Sequence, residues 1–291
     1  MKSEPPLVSI GIPLYRSRRF LESIIANLER ISYPRLEIII SDRHSADDTI
    51  DLLREHFKGD SRFSFVQEQD DLNWVENYNE LLRRFSGDYF LWMPHDDIYP
   101  ADYVSKLVAG LETDSEAICS FGRLHLRDLE DRPIPLFREF PPAFLETEDK
   151  TRRALALLTW GAGIPFRGLF RRNPIVESSF FIRQTLDNYA ADGCWMFGLA
   201  LRRRFVYVRQ CSVHKRMYPN STHRRIDPGI RHQFNYLRTI RDYLKDGCSD
   251  RLEVAAGTLF LGIWIFGVRV HPVAPRFLRG RLRRLVTWLL A

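Results

Sequence analysis

Gly87-Asp88-Tyr89-Phe90-Leu91-Trp92-Met93-Pro94-His95-Asp96-Asp97 is the stretch whose reading decides the fold. Tyr89 to Met93 is a short apolar, aromatic run with the composition of a buried strand. Pro94 stops it, and two adjacent carboxylates follow. Pro100 then opens a periodic segment, Asp102 to Leu111. Acids at the carboxyl end of a buried strand lie where open α/β sheets bind their ligands. Neighbouring carboxylates repel, and a hard divalent cation commonly compensates them. The pair reads equally as a solvated turn with a helix-capping aspartate.

Working outward, the preceding residues alternate strand and helix. Leu7 to Ile12 reads as a strand ended by Pro13. Ser17 is placed to cap a helix running to Arg30, with Phe20, Leu21, Ile24, Ile25 and Leu28 on its apolar face. Leu36 to Ser41 is a second strand. Ser45 with Asp48 has the spacing of a capping box for a helix from Asp47 to Phe57. Phe63 to Val66 and Trp74 to Phe85 add a strand and a helix. This rhythm predicts an α/β fold, with a mostly parallel central sheet covered by helices on both faces. No GxGxxG follows the first strand and no GxxxxGK[ST] occurs, so dinucleotide-binding and P-loop folds are excluded. Ligand groups are expected in the three loops that follow strands, at Pro13-Leu14-Tyr15, Asp42-Arg43-His44-Ser45 and His95-Asp96-Asp97.

Charge divides the 291 residues unevenly: residues 1–120 hold 13 Lys/Arg against 22 Asp/Glu, and the net charge is nonetheless +6. Past Glu253 the chain has six arginines and no acid. Such a basic end suits an anionic surface or polymer. Cys119, Cys194, Cys211 and Cys248 lie far apart with no CxxC pair. That argues against a zinc site or disulfide framework. With a polar N-terminus that has no signal-peptide pattern, it suggests a reducing, cytoplasmic setting.

The combined order of motifs resembles glycosyltransferase family 2, the inverting enzymes with the GT-A nucleotide-diphospho-sugar fold. VSIGIPLYRSRRFLESIIANL resembles the family's first strand, Pro-x-Tyr loop and helix. LEIIISDRHSADDT resembles its second strand and acidic loop, and GDYFLWMPHDDIYPADYV its metal-binding segment. The likeness spans roughly residues 7–225. It implies that Asp42 contacts a pyrimidine base, with Pro13 and Tyr15 packing on that base. It also implies that Asp96 anchors Mg²⁺ or Mn²⁺ against the diphosphate, with His95 beside it. The family's first metal-motif acid is replaced by Pro94, which leaves Asp96 in the second place and Asp97 after it.

In the second half, Ala117 to Phe121 is another apolar run, and a helix is expected from Thr147 or Glu148 to Trp160. In WGAGIPFRGLFRR, Gly168-Leu169-Phe170-Arg171 resembles an acceptor-side segment, which implies an acceptor contact at Gly168, and Trp160 reads either as a ring that stacks on the acceptor sugar or as core. ADGCWMFGLALRRRF resembles the helix start that carries the family's general base, which makes Asp192 the catalytic residue. In RFVYVRQCSVHKRMYPNSTH, Arg216 matches a basic-loop arginine and is expected at the diphosphate. Tyr218 stands where the family has a histidine; His214 or His223 would then substitute, or Lys215 and Arg216 would hold the phosphates.

Val254 to Val268 is 15 residues without charge, short of the ~20 a spanning helix needs. Arg276 to Leu290 has the pattern of a basic amphipathic helix, suited to a membrane surface or to docking on protein. The domain expectation is a catalytic region over 1–225, its halves 1–120 and 121–225 serving nucleotide and acceptor, and a helical extension over 226–291. The resemblance implies transfer from UDP- or dTDP-sugar to a glycan or lipid-linked hydroxyl in polysaccharide biosynthesis, peripheral to a membrane and without nucleic acid. A catalytically silent module of the same fold is the competing expectation. A nucleotidyltransferase is a third, although Tyr15-Arg16-Ser17-Arg18-Arg19 lacks the glycines it needs.

Overall fold

The computed structural model describes residues 4–68, 72–135, 147–160, 163–218 and 229–248, with 250, 254–255, 257–259 and 261–262. By compactness the chain divides into two units. One comprises Met1–Glu139, Gly163–Ile182 and Phe205–Pro219; the other comprises Phe140–Ala162, Arg183–Arg204 and Asn220–Ala291.

The first unit is an α/β sheet. β1 (Val8–Leu14), β2 (Leu36–Asp42), β3 (Phe63–Gln67) and β4 (Tyr89–Trp92) run parallel in the order β3-β2-β1-β4. β7 (Leu169–Arg171) lies antiparallel beside β4 and also pairs antiparallel with β5 (Ala117–Arg127). β6 (Pro133–Ile134) and β8 (Arg204–Arg216) pair with β5. The helices are α1 (Leu21–Arg30), α2 (Thr49–His56), α3 (Trp74–Arg84), α4 (Tyr103–Leu111) and α6 (Asn173–Glu177). Ile10, Ile12, Ile38, Ile40 and Leu91 belong to one apolar cluster with Ile24, Leu28, Val104 and Leu107 of the helices. The remaining strand positions meet a second layer of aromatics. There Phe90 lies 5.1 Å from Trp92 and 5.3 Å from Phe170, and Trp92 lies 5.2 Å from Phe166. Burying large rings on one sheet face and β-branched chains on the other suits strands covered on both sides. At Gly11 a Cβ would stand 2.5 Å from Phe85 Cζ, so glycine lets α3 close on β1.

β1 continues two residues beyond its expected end, through Pro13. N–H and C=O groups alternate between the two strand edges. Gly11 O accepts from Met93 N, which puts the Pro13 nitrogen on the same side, past the last residue of β4. The missing N–H therefore costs no ladder bond. The helix caps also differ from expectation. Ser17 Oγ accepts from Tyr15 N rather than capping, and Ser45 bonds Asp42 rather than α2. α3 instead has a full capping box from Asn73 and Glu76.

The second unit contains α5 (Lys150–Trp160), α7 (Ala191–Arg202) and α8 (Ile230–Gly247). α8 buries Tyr236, Ile240, Tyr243 and Leu244, one helical stripe. Buried Arg153 of α5 donates to Ala200 O at 3.0 Å and to the carbonyls of Thr147 and Glu148, so three backbone carbonyls hold its cation. The four cysteines are buried, and no disulfide joins them. Among the described residues no helix is long and apolar enough to cross a membrane. The amphipathic segment 276–290 lies outside them, as does His223.

Candidate donor site

Three loops are tied together at the carboxyl edge of β1, β2 and β4. Leu14 and Asp42 are register partners at the ends of β1 and β2. Asp42 is buried, and it accepts from Ser45 N at 2.9 Å and from Ser45 Oγ at 2.5 Å. Ser45 Oγ in turn accepts from Arg16 N at 3.0 Å, which joins the β1 loop to the β2 loop. A carboxylate has about four acceptor positions, and Ser45 takes two of those on Asp42. The Tyr15 ring carries the Arg43 guanidinium 3.7 Å from its centroid, and Arg43 is fixed by a bond to Leu72 O at 2.6 Å. The Arg16 guanidinium also lies over this ring, 5.2 Å from its centroid.

The third loop is held from both sides. His95 Nδ1 lies 3.2 Å from Pro13 O, the carbonyl that β4 leaves unpaired by ending at Trp92. A hydrogen bond from the ring to this carbonyl fixes the orientation of His95. Phe20 packs against both His95 and Tyr218, at 5.4 and 5.6 Å between ring centres.

Asp96 and Asp97 differ in environment despite being neighbours. Tyr218 donates its hydroxyl to Asp96 Oδ2 at 3.0 Å. Burial pushes the Asp96 carboxyl up, but the charge of His95, the Tyr218 bond and the charges of Arg167 and Lys215 together bring it below the ordinary range. Burial and the Asp96 charge raise the Tyr218 phenol to about 12, so it stays a protonated donor at neutral pH. The Arg19 guanidinium covers the Tyr218 ring at 4.2 Å. Asp97 is fully buried and pairs with Arg167 Nε at 2.5 Å, while its Oδ1 has no hydrogen-bond partner. Burial and the charge of Asp96 push the Asp97 carboxyl up against the opposing pull of Arg167. Asp97 O accepts from Asn27 Nδ2 at 2.9 Å, and Asn27 Oδ1 accepts from Tyr99 N at 3.1 Å, which clamps the loop onto α1.

Asp97 is thus fully buried on Arg167, whereas Asp96 is half-buried on Tyr218. Among the described residues no group of three His, Cys, Asp or Glu is arranged to hold a metal. Asp96 Oδ1 makes no protein hydrogen bond among the described residues. One carboxylate oxygen suits Mg²⁺, which keeps several waters and takes substrate phosphates, and it suits Mn²⁺ of similar hard-oxygen preference.

Arg216 donates to Ser23 Oγ at 2.8 Å and lies 3.3 Å from Asp131 Oδ1, while the neighbouring Lys215 is the residue whose charge acts on Asp96. Gly168 precedes β7, where a Cβ would stand 2.4 Å from Ser120 O, so packing alone requires a glycine there. Trp160 closes α5, and its side chain lies outside the described part. Asp192 lies in the first turn of α7, in the second unit, and its carboxylate makes no hydrogen bond or ion pair among the described residues.

The model for glycosyl transferase family 2 matches residues 9–176, more than half of the chain. The chain belongs to glycosyl transferase family 2. One relative, the GalNAc(5)-diNAcBac-PP-undecaprenol beta-1,3-glucosyltransferase of Campylobacter jejuni, is 29% identical over 186 residues, 64% of this chain and 58% of that protein. The chain spans between 17% and 63% of the length of the curated relatives it matches. S. aureus TarS 1-349, solved with UDP-GlcNAc, shares the fold with a TM-score of 0.69 at 13% identity, covering 91% of this chain and 74% of that one. The mannosyltransferase PcManGT of Pyrobaculum calidifontis, solved with GDP-Man and Mn2+, has a TM-score of 0.54 at 14% identity, covering 98% of this chain and 86% of that one.

Tyr218 shows in the sequence only as a residue standing in place of a histidine, and Arg167 has no signal there. Both act through partners far along the chain, 122 and 70 residues away. Asn27 had a visible signal, because it sits on the buried face of α1 three residues after Ile24.

Proposed function

We propose that this chain is the catalytic part of an inverting glycosyltransferase, moving a sugar from UDP or dTDP to a hydroxyl of a glycan or lipid-linked acceptor. The observation that carries this reading is the junction of three strand-end loops through Ser45 and His95, with Asp42 and Asp96 in that junction. The nucleotide-sugar ligands of the two structural neighbours support the donor class.

In this reading Asp42 accepts a pyrimidine N–H, and Pro13 and Tyr15 pack on the base. Tyr218 fixes Asp96 through Oδ2, so Oδ1 faces the diphosphate. His95 borders the same pocket, and Arg216 anchors the basic loop that brings Lys215 to the phosphates. When Mg²⁺ or Mn²⁺ is bound, it supplies positive charge against the leaving diphosphate, and Asp96 is the residue that would hold it. Asp192 takes the proton from the acceptor hydroxyl as that oxygen bonds to the anomeric carbon and the bond to the diphosphate oxygen breaks. Trp160 and Gly168 remain the acceptor-side candidates. Functionally we assign nucleotide binding to 1–120, the acceptor and the base to 121–225, and peripheral membrane contact to the helical extension 226–291.

Asp96→Asn and Asp192→Asn test the assignment in a nucleotide-sugar transfer assay. Both should lose transfer while melting as the parent does. Turnover retained in Asp192→Asn removes it as the base.

A further inference from the structure

β5 and β8 pair as a ribbon whose two faces differ. Leu124, Cys211 and Val213 point to the core. The alternate positions Arg123, His125 and Arg127 of β5 and His214 of β8 do not. The His125 and His214 rings stack with centroids 5.1 Å apart and planes 23° apart. Arg127 Nε donates to His214 Nδ1 at 2.9 Å, and another Arg127 nitrogen donates to Asp131 O at 2.6 Å.

This cluster lacks what a structural cation normally has. Arg127 has no carboxylate partner among the described residues, since the Asp131 carboxylate pairs with Arg216. The ring nitrogens of His125, and Nε2 of His214, have no hydrogen-bond partner among the described residues. Because His214 Nδ1 accepts from a guanidinium, its proton sits on Nε2, which is a donor. Burial and the charges of Arg123 and Arg127 hold His125 below its ordinary value. Burial, Arg127 and His125 do the same to His214, against a smaller opposite effect of Asp131. Both rings are therefore neutral donors at neutral pH, with the positive charge on the arginine.

A transition metal is the other ligand a histidine pair suggests. Nearly parallel rings do not aim their nitrogens at one point, Arg127 occupies one of those lone pairs, and its cation repels a metal. An oxyanion reverses each objection, because it takes several donors side by side and pairs with the guanidinium.

We propose that His125, His214 and Arg127 form a phosphate-binding site separate from the Asp96 loop. His214 is joined to Ile98, two residues past Asp96, by a pair of backbone hydrogen bonds at 2.8 and 3.0 Å. The site therefore borders the donor loop without sharing its side chains. Assigning the phosphate to the acceptor substrate rests on the transferase reading, whereas the phosphate site itself does not.

The test is a titration of the full chain, presaturated with UDP, with inorganic phosphate. The histidine imidazoles are followed by nitrogen-15 NMR and assigned with His125→Gln and His214→Gln. Both resonances should shift and saturate together, and Arg127→Gln should weaken the apparent affinity by about tenfold or more, the scale of a lost bond to a charged group. If Arg127→Gln does not fold, His125→Gln carries the same expectation, read on His214. The proposal is overturned if the pair does not titrate, or if a folded variant titrates as the parent does. It is also overturned if UDP alone shifts both rings and phosphate adds nothing. A chain that binds phosphate here but does not bind UDP keeps this site and loses the donor reading.

Discussion

Replacing Arg167 by methionine strands the Asp97 carboxylate in the centre of the first unit. Asp97 is 0% exposed, its Oδ2 depends on Arg167 Nε at 2.5 Å, and its Oδ1 already lacks a hydrogen bond. Removing one partner of a buried pair costs roughly 3–5 kcal/mol, because the remaining charge is uncompensated. For a domain of this size that is a fall in Tm of roughly 6–20 °C. The pH dependence has a definite sign. The folded-state carboxyl is already raised by burial, and losing the arginine raises it further. A raised group contributes stability that is complete below its unfolded pKa and is lost as pH rises through the folded one. The deficit of Arg167→Met should therefore be largest near pH 8 and shrink as pH falls toward about 5, where a neutral carboxyl is no longer stranded. Asp97→Leu with Arg167→Met should recover much of the loss, since two apolar side chains leave no unpaired charge. Urea unfolding of the two variants across this range decides the matter. A loss below about 1 kcal/mol, the scale of an exposed pair, would refute the reasoning. So would a deficit that does not change with pH, or a double variant as weak as the single one.

The remaining expectations concern neighbouring residues. Tyr218→Phe removes the bond to Asp96 Oδ2, so the Asp96 carboxyl should rise and the acid limb of nucleotide binding should move to higher pH. Titration calorimetry at several pH values measures this, and an unmoved limb contradicts it. Gly168→Ala drives a Cβ to within 2.4 Å of Ser120 O, a backbone atom that cannot step aside. It should cost about 1–3 kcal/mol, read as a lower Tm, and an unchanged Tm would contradict the close packing.

The alternation of strands and helices was legible because each segment shows its own period. Val8, Ile10 and Ile12 of β1 and Val75, Leu81 and Leu82 of α3 are buried as their spacing requires. The positions of Asp42 and Asp96 at strand ends were legible for the same reason. The partners that give those carboxylates different roles were not. Ser45 fits a capping box by spacing, yet its hydroxyl is drawn to Asp42 and to Arg16 of a neighbouring loop. Asp97 looks like a second metal ligand beside Asp96, and only a distant arginine makes it an internal anchor. Tyr218 reads as the loss of a histidine until the fold brings its hydroxyl to Asp96. Long-range pairing of this kind leaves no periodic trace, because each member is chosen by a residue on another element.

The central claim is that the edge joining β1, β2 and β4 holds a nucleotide diphosphate through Asp96. Calorimetric titration of UDP into the parent chain and Asp96→Asn, with and without Mn²⁺, tests it most directly. The account predicts that Mn²⁺ strengthens binding by the parent, and that Asp96→Asn loses this enhancement while retaining its melting temperature. Absence of UDP binding by the parent, or an equal Mn²⁺ effect in both proteins, would contradict it.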